Sequence, residues 1–210
     1  MGKHRYGGGK NYRSKDRRKS TLRRILIVCE GRVTEPKYFR SLAREISDFI
    51  SLQIKGIGTD TIDVVNEAIR IRDKGVKDGY PYDVIWAVFD KDEFQNRRIE
   101  KAMKLGKENN INIAFSSPCF ELWFLLHFEY IESYISRGDI YKKLSKYLKF
   151  NYEKRSDMYD ILKDKQKIAI YNAKRLSKKS GNLGGYDLPT TSVYKITESV
   201  NSLHSKLKNK

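Results

Sequence analysis

The chain has 210 residues and carries 43 Lys and Arg against 26 Asp and Glu, a formal net charge of +17. That length suffices for one sizeable core with an appended lobe, and the basic excess suggests a polyanionic partner, most simply nucleic acid. No apolar run approaches the ~18 residues of a membrane span and no apolar segment follows the basic amino terminus, so a cytoplasmic protein without a membrane anchor is expected.

The charge is unevenly placed. Residues 1–24 hold ten Lys or Arg and one acid, Asp16, for a net +9, and the remaining 186 residues carry +8. Residues 1–22 contain almost no aliphatic side chain, so they read as a basic flexible arm. Two cysteines, Cys29 and Cys119, fit neither a disulfide framework nor a zinc site and read as buried thiols.

Ile25–Cys29 is a run of five apolar residues that predicts a short strand buried on both faces, ending in Glu30 and Gly31. Thr34 then reads as the cap of a helix with Pro36 in its first turn and Tyr38, Phe39, Leu42, Ile46 and Phe49 in register. Glu30 therefore stands after a strand and before a helix, where open α/β sheets bind ligands. Leu52–Ile57 alternates as a second, more exposed strand. Thr59 or Asp60 caps a helix with Ile62, Val65, Ala68 and Ile69, and residues 75–81 read as a loop. Asp83–Phe89 is a third strand, and acids follow it too: Asp90, Asp92 and Glu93. A helix through Ile99, Met103 and Leu105 and a fourth strand over Ile111–Phe115 complete β-α-β-α-β-α-β, an α/β order that predicts a mostly parallel sheet flanked by helices.

Pro118–Phe128 is apolar on nearly every face, so if helical it is buried, with Glu121 the exception inside it. His127, Phe120, Trp123 and Phe124 read as core. Beyond it the pattern is helical. Asp139 caps a helix with Ile140, Leu144 and Leu148; Ser156 opens a longer one through Met158, Ile161, Leu162, Ile168, Ala169, Ala173 and Leu176; glycines at 181–185 break the chain; and Val193, Ile196, Val200, Leu203 and Leu207 share one face of a last helix. The expected layout is an α/β core over 23–130 with a helical lobe, 131–210, packed on it.

Glu30 and the Asp90/Asp92 pair lie two βα units apart, so neighbouring strands would bring three carboxylates to one edge. Like charges held together require a counter-charge or a proton, and hard oxygen ligands without His or Cys favour Mg²⁺ or Mn²⁺. The competing reading of Asp92 and Glu93 is a solvated turn before a helix, where acids are common. Glu35 is either a first-turn acid or a ligand. Glu121, in so apolar a stretch, is drawn to the metal or paired with a basic residue.

Cys29-Glu30-Gly31-x-x-Thr34-Glu35-Pro36-x-Tyr38-Phe39, then Phe89-Asp90-x-Asp92, then Pro118-x-Phe120-Glu121-x-Trp123-Phe124 resemble the RloB/AbiLii family of bacterial phage-defence proteins, across about residues 22–205. Ser117 stands where that family typically has asparagine. The family is similar to the TOPRIM fold. The resemblance implies Glu30, Asp90 and Asp92 as Mg²⁺ ligands, Glu35 and Glu121 as further catalytic candidates, and an ABC- or OLD-like ATPase as partner in abortive infection by nucleic-acid cleavage. A homo-oligomer is compatible with it. The alternative is a non-catalytic nucleic-acid-binding or regulatory subunit on the same scaffold.

Overall fold

Alternation of buried side chains along two inner strands sets the architecture. A computed structural model describes residues 22–46, 48, 50–91, 96–183 and 188–208. β1 (Arg23–Cys29) pairs in parallel with β2 (Ile50–Gly56) on one side and with β3 (Val84–Asp90) on the other. β4 (Asn112–Ser117) continues beyond β3 in parallel, giving the order β2-β1-β3-β4-β5. Successive strand residues point to opposite faces. Ile25, Ile27, Cys29, Trp86 and Val88 accordingly enter one apolar cluster, and Leu26, Val28, Ile85, Ala87 and Phe89 enter a second.

Helices α1 (Thr34–Ile46), α2 (Thr61–Lys77) and α3 (Asn96–Glu108) fill the connections. Tyr38, Phe39, Leu42 and Ile46 of α1 join the first cluster, while Val64, Val65, Ala68 and Ile71 of α2 and Ile99 and Ala102 of α3 join the second. The sheet is therefore covered on both faces, which is why Ile25–Cys29 of β1 and Val84–Phe89 of β3 are continuously apolar rather than alternating. Phe49 lies outside the described residues.

Several local expectations are corrected. The first bond of α1 runs from Lys37 N to the Val33 carbonyl, so Thr34 is inside the helix and its hydroxyl is used elsewhere. Ile62 and Ile69 are only partly buried; Val64 and Ile71 take the central positions of α2. That helix runs on to Lys77 instead of stopping at residue 75. Gly75 sits inside it because Tyr82 and the Tyr80 carbonyl crowd its Cα, leaving no room for a Cβ.

The chain then crosses to the first face. α4 (Glu121–Leu125) is short, and Phe120, Leu122, Trp123 and Phe124 are all buried. Phe120 meets Tyr38 edge-on at 5.9 Å and Phe124 meets it tilted at 5.5 Å, anchoring α4 on α1. α5 (Arg137–Leu148) is capped by Ser136 rather than Asp139: the Ser136 Oγ accepts from Asp139 N at 3.1 Å and donates to Asp139 Oδ2 at 2.6 Å. The long helix expected from Ser156 is three pieces. These are α6 (Met158–Leu162), capped by Asp157, a 3₁₀ turn (Lys163–Lys165), and α7 (Gln166–Leu183). The turn rotates the helical register, which leaves Ile161 and Ile168 exposed. α7 also passes through the first of the glycines at 181–185; Gly184 and Gly185 lie outside the described residues.

β5 (Thr190–Thr191), which has no counterpart in the sequence pattern, pairs antiparallel with β4. Ser192 secures it, its Oγ accepting from Phe115 N at 2.8 Å and its own N–H donating to the Phe115 carbonyl at 2.8 Å. α8 (Val193–Lys208) then buries Val193, Ile196 and Val200 on the first face, with Leu203 and Leu207 partly covered.

Candidate functional site

Register across β1 and β3 decides where the first two acids fall. Cys29 lies opposite Val88, so Glu30 and Asp90 emerge side by side at the carboxyl ends of neighbouring strands. The order in which strands are added reverses here, β2 lying beyond β1 and β4 beyond β3, and this is the crevice where doubly wound sheets take ligands. Glu30 N donates to the Val88 carbonyl at 2.8 Å, and its carboxylate Oε2 accepts from Asp90 N at 3.0 Å. The Glu30 side chain thus bridges the two strand ends. Asp90 Oδ1 is buried without a hydrogen-bond partner.

Glu35 folds back from the first turn of α1 toward the strand end. Its Oε1 accepts from Gly31 N at 3.2 Å, and a Cβ on Gly31 would run into the carboxylate itself. Glycine at 31 is therefore what lets Glu35 lie over the strand end. Glu35 is buried, and this loss of hydration raises its carboxyl above the usual range; the Glu121 charge adds to the rise, while backbone hydrogen bonds and Lys154 oppose it.

Glu121 opens α4 and is 3% exposed, so its charge must be satisfied internally. Three hydroxyls do this through Oε1: Thr34 at 3.4 Å, Tyr141 at 3.3 Å and Tyr152 at 3.1 Å. Of the two partners the sequence suggested, a metal or a base, neither makes these bonds. The tyrosines in turn titrate well above their ordinary value, through burial first and then through the Glu121 charge.

These acids share one cleft of about 180 Å³, lined by Glu30, Glu35, Asp90 and Glu121 together with Arg137 and Lys154. Four carboxylates against two cations leave two formal negative charges. The consequence appears at Asp90, whose carboxyl is pushed well above its ordinary range by burial first and then by Glu35, Glu121 and Glu30; one backbone hydrogen bond, from Phe120, opposes this. An all-oxygen donor set, an unbonded carboxylate oxygen and an excess of two charges fit a hard divalent cation. Among the described residues no three His, Cys, Asp or Glu side chains already stand in ligating positions around one point. Asp92, the third ligand expected from the sequence, lies outside the described residues, as does Glu93.

Cys29 and Cys119 are free and buried, and burial pushes both thiols up, which leaves them unreactive. His127 is 1% exposed; its Nδ1 donates to the Trp123 carbonyl at 2.9 Å, and burial lowers its value to about 4. It is a core residue, remote from general-base chemistry.

Four cleft residues escape sequence reasoning. Arg137 follows the Ser136 cap and would be found only by asking which helix N-terminus meets the strand ends. Lys154, Tyr141 and Tyr152 are single members of a lysine- and tyrosine-rich segment, with nothing in their spacing to distinguish them.

An open, mostly parallel sheet with carboxylates gathered where two neighbouring strands end defines an α/β protein built around a polyacidic cleft. Glu30, Glu35, Asp90 and Glu121 all fall inside the region by which its kin can be recognised. The sequence profile of the RloB-like protein family matches residues 25–200, and the chain belongs to that family. No curated protein and no solved structure matches it. Among the described residues no helix is long and apolar enough to cross a membrane.

Proposed function

We propose that the chain is a metal-dependent phosphodiesterase acting on nucleic acid, in a TOPRIM-like arrangement. The observation that carries this reading is Asp90, a buried carboxylate with an unbonded oxygen, set beside Glu30 in a cleft with two excess negative charges. Glu30 and Asp90 would hold Mg²⁺ or Mn²⁺, with Asp92 as the third ligand by sequence. What such a cation supplies when bound is polarisation of a phosphoryl oxygen and a more acidic water.

The chain's own residues do the remainder. Arg137 and Lys154 offset the carboxylates from the opposite wall and give a phosphodiester two cationic contacts. Glu35, held against Gly31 with a raised carboxyl, is placed to take or return a proton at the strand end. Glu121 is fixed by three hydroxyls and positions the wall that carries them. The wider role in abortive infection, with a partner ATPase and in the cytoplasm, extends the same proposal through the family.

The competing reading, a non-catalytic nucleic-acid-binding subunit, draws on the lack of three acids already in ligating positions among the described residues. Purified protein incubated with labelled RNA and DNA and Mg²⁺ or Mn²⁺, with and without the partner ATPase, separates the two. Cleavage lost in EDTA and on Glu30→Ala or Asp90→Ala supports the nuclease. Binding without cleavage in every combination overturns it.

A further inference from the structure

Two hollows lie away from the acids, between the edge strand β2 and helix α2. Two cavities of about 700 Å³ and 610 Å³ share Lys55 and Arg70 and so form one groove. At the amino-terminal end of the strands it is lined by Arg24, Lys74, Tyr80 and Tyr82; at the carboxyl end by Arg32. Arg32 directly follows Gly31, which lines the acidic cleft, so the carboxyl end of the groove is one residue along the chain from the candidate site.

The upper end is built rather than incidental. Asp83 accepts from the backbone N of Arg24 at 2.7 Å and pairs with Arg23 at 2.6 Å. The Arg24 guanidinium lies 4.4 Å from the Tyr82 ring centroid and 5.9 Å from that of Tyr80. Tyr82 is held by a hydrogen bond to Gln53 and by packing on Gly75, whereas Tyr80 is 59% exposed. Lower down, Glu67 is shared between Lys55 and Arg70. Asp63 and Asp78 are the other acids, so five cations face three acids, the reverse of the sign in the cleft. Leu22, at the mouth, joins the groove to the preceding 21 residues, which hold eight Lys or Arg and one acid.

We propose that this β2–α2 groove is the track for a single-stranded nucleic acid, which stacks a base on Tyr80 and runs its phosphates past Lys74, Arg70 and Arg32 to the acidic cleft. Cations spaced along a strand, with an aromatic platform at one end, are what a flexible polyanion with π-faces requires. From Ser51 to Lys55 the strand spans about 13 Å, room for roughly four stacked nucleotides at ~3.4 Å each. The proposal names the substrate path for the nuclease reading and rests on it for its direction, but binding can be measured without cleavage.

The experiment is fluorescence anisotropy of a labelled 12-nucleotide strand, RNA and DNA, with the full chain in EDTA. Tyr80→Ala should weaken binding by roughly five- to a hundredfold. Arg70→Ala with Lys74→Ala should weaken it and reduce the slope of log K against log salt by about 1.4. All three side chains are exposed, and an unchanged melting temperature confirms folding. Binding in EDTA requires neither metal nor cleavage, so loss of cleavage on Asp90→Ala and loss of binding in the groove variants fail separately. Wild-type affinity in the groove variants, loss of binding only on Tyr171→Ala with Arg175→Ala, an exposed tyrosine and the arginine over its ring on α7, or equal competition by a mononucleotide would each overturn the track.

Discussion

Asp90→Asn is expected to make the metal-free protein more stable and, on the proposed reading, to abolish cleavage. The side chain keeps its shape, so the backbone bond from Asp90 N to Glu30 Oε2 survives. What is removed is a negative charge whose Oδ1 has no partner and which faces Glu35, Glu121 and Glu30. Asparagine keeps a polar group there but not the charge, and a buried charge without a partner costs more than the ~1–3 kcal/mol of a neutral group, so a gain of about 2 kcal/mol is expected at neutral pH in EDTA. For a chain of this size that is a rise of roughly 4–8 °C in Tm. Mg²⁺ should reverse the order: a ligand at a hundred times its Kd stabilises by about 2.7 kcal/mol, and only the wild type has the complete site. Thermal melts of both proteins in EDTA and across a Mg²⁺ titration read this directly. A variant less stable than wild type in EDTA, or equally protected by Mg²⁺, would refute the assignment of Asp90 as a strained ligand.

Three further outcomes are expected. His127 titrates near 4 when folded against an ordinary 6.5, because burial disfavours its charged form, so its contribution is intact above pH 6.5 and is lost as pH falls toward 4. About 3 kcal/mol is at stake at one pKa unit per 1.36 kcal/mol; His127→Gln, which keeps a donor for the Trp123 carbonyl, should lose less stability than wild type between pH 7 and 4.5, and equal losses sink the idea. Tyr141→Phe with Tyr152→Phe removes two of the three hydroxyl donors to Glu121 and should cost roughly 2–4 kcal/mol in urea denaturation; a cost under half that would mean water replaces them. Gly31→Ala should displace the Glu35 carboxylate and reduce cleavage while binding in EDTA persists, so undiminished turnover would argue that Glu35 is dispensable.

Much of the scaffold is legible from runs of apolar residues, because a strand buried on both faces has a signature that helices and loops lack. Ile25–Cys29 and Val84–Phe89 are such runs, and the side-by-side placement of Glu30 and Asp90 follows once they are neighbours. Caps are less legible. Ser136, Asp139 and Thr34 all have capping chemistry, and only backbone geometry separates Ser136, which caps, from Thr34, whose hydroxyl turns to Glu121. The 3₁₀ turn at Lys163–Lys165 leaves no compositional trace, so a single long helix with Ile161 and Ile168 inward is the natural inference, and the turn exposes both. Arg137, Tyr141, Tyr152 and Lys154 reach the cleft through tertiary folding alone. At Glu121 physical chemistry gives the requirement, internal satisfaction of a buried charge, but leaves open which partners meet it.

The antiparallel return of β5 onto β4 has a bearing on when the site can exist at all. Glu30, Glu35 and Asp90 come from the first half of the chain, whereas Arg137 and Lys154 come from a segment held on the sheet by α7, β5 and α8. A nascent chain that has emerged only through β4 presents the acids without their opposite wall and with the β4 edge open. On the proposed reading, the complete cleft would thereby form only with the last third of synthesis, and a truncated chain would hold the acids without Arg137 and Lys154 in place.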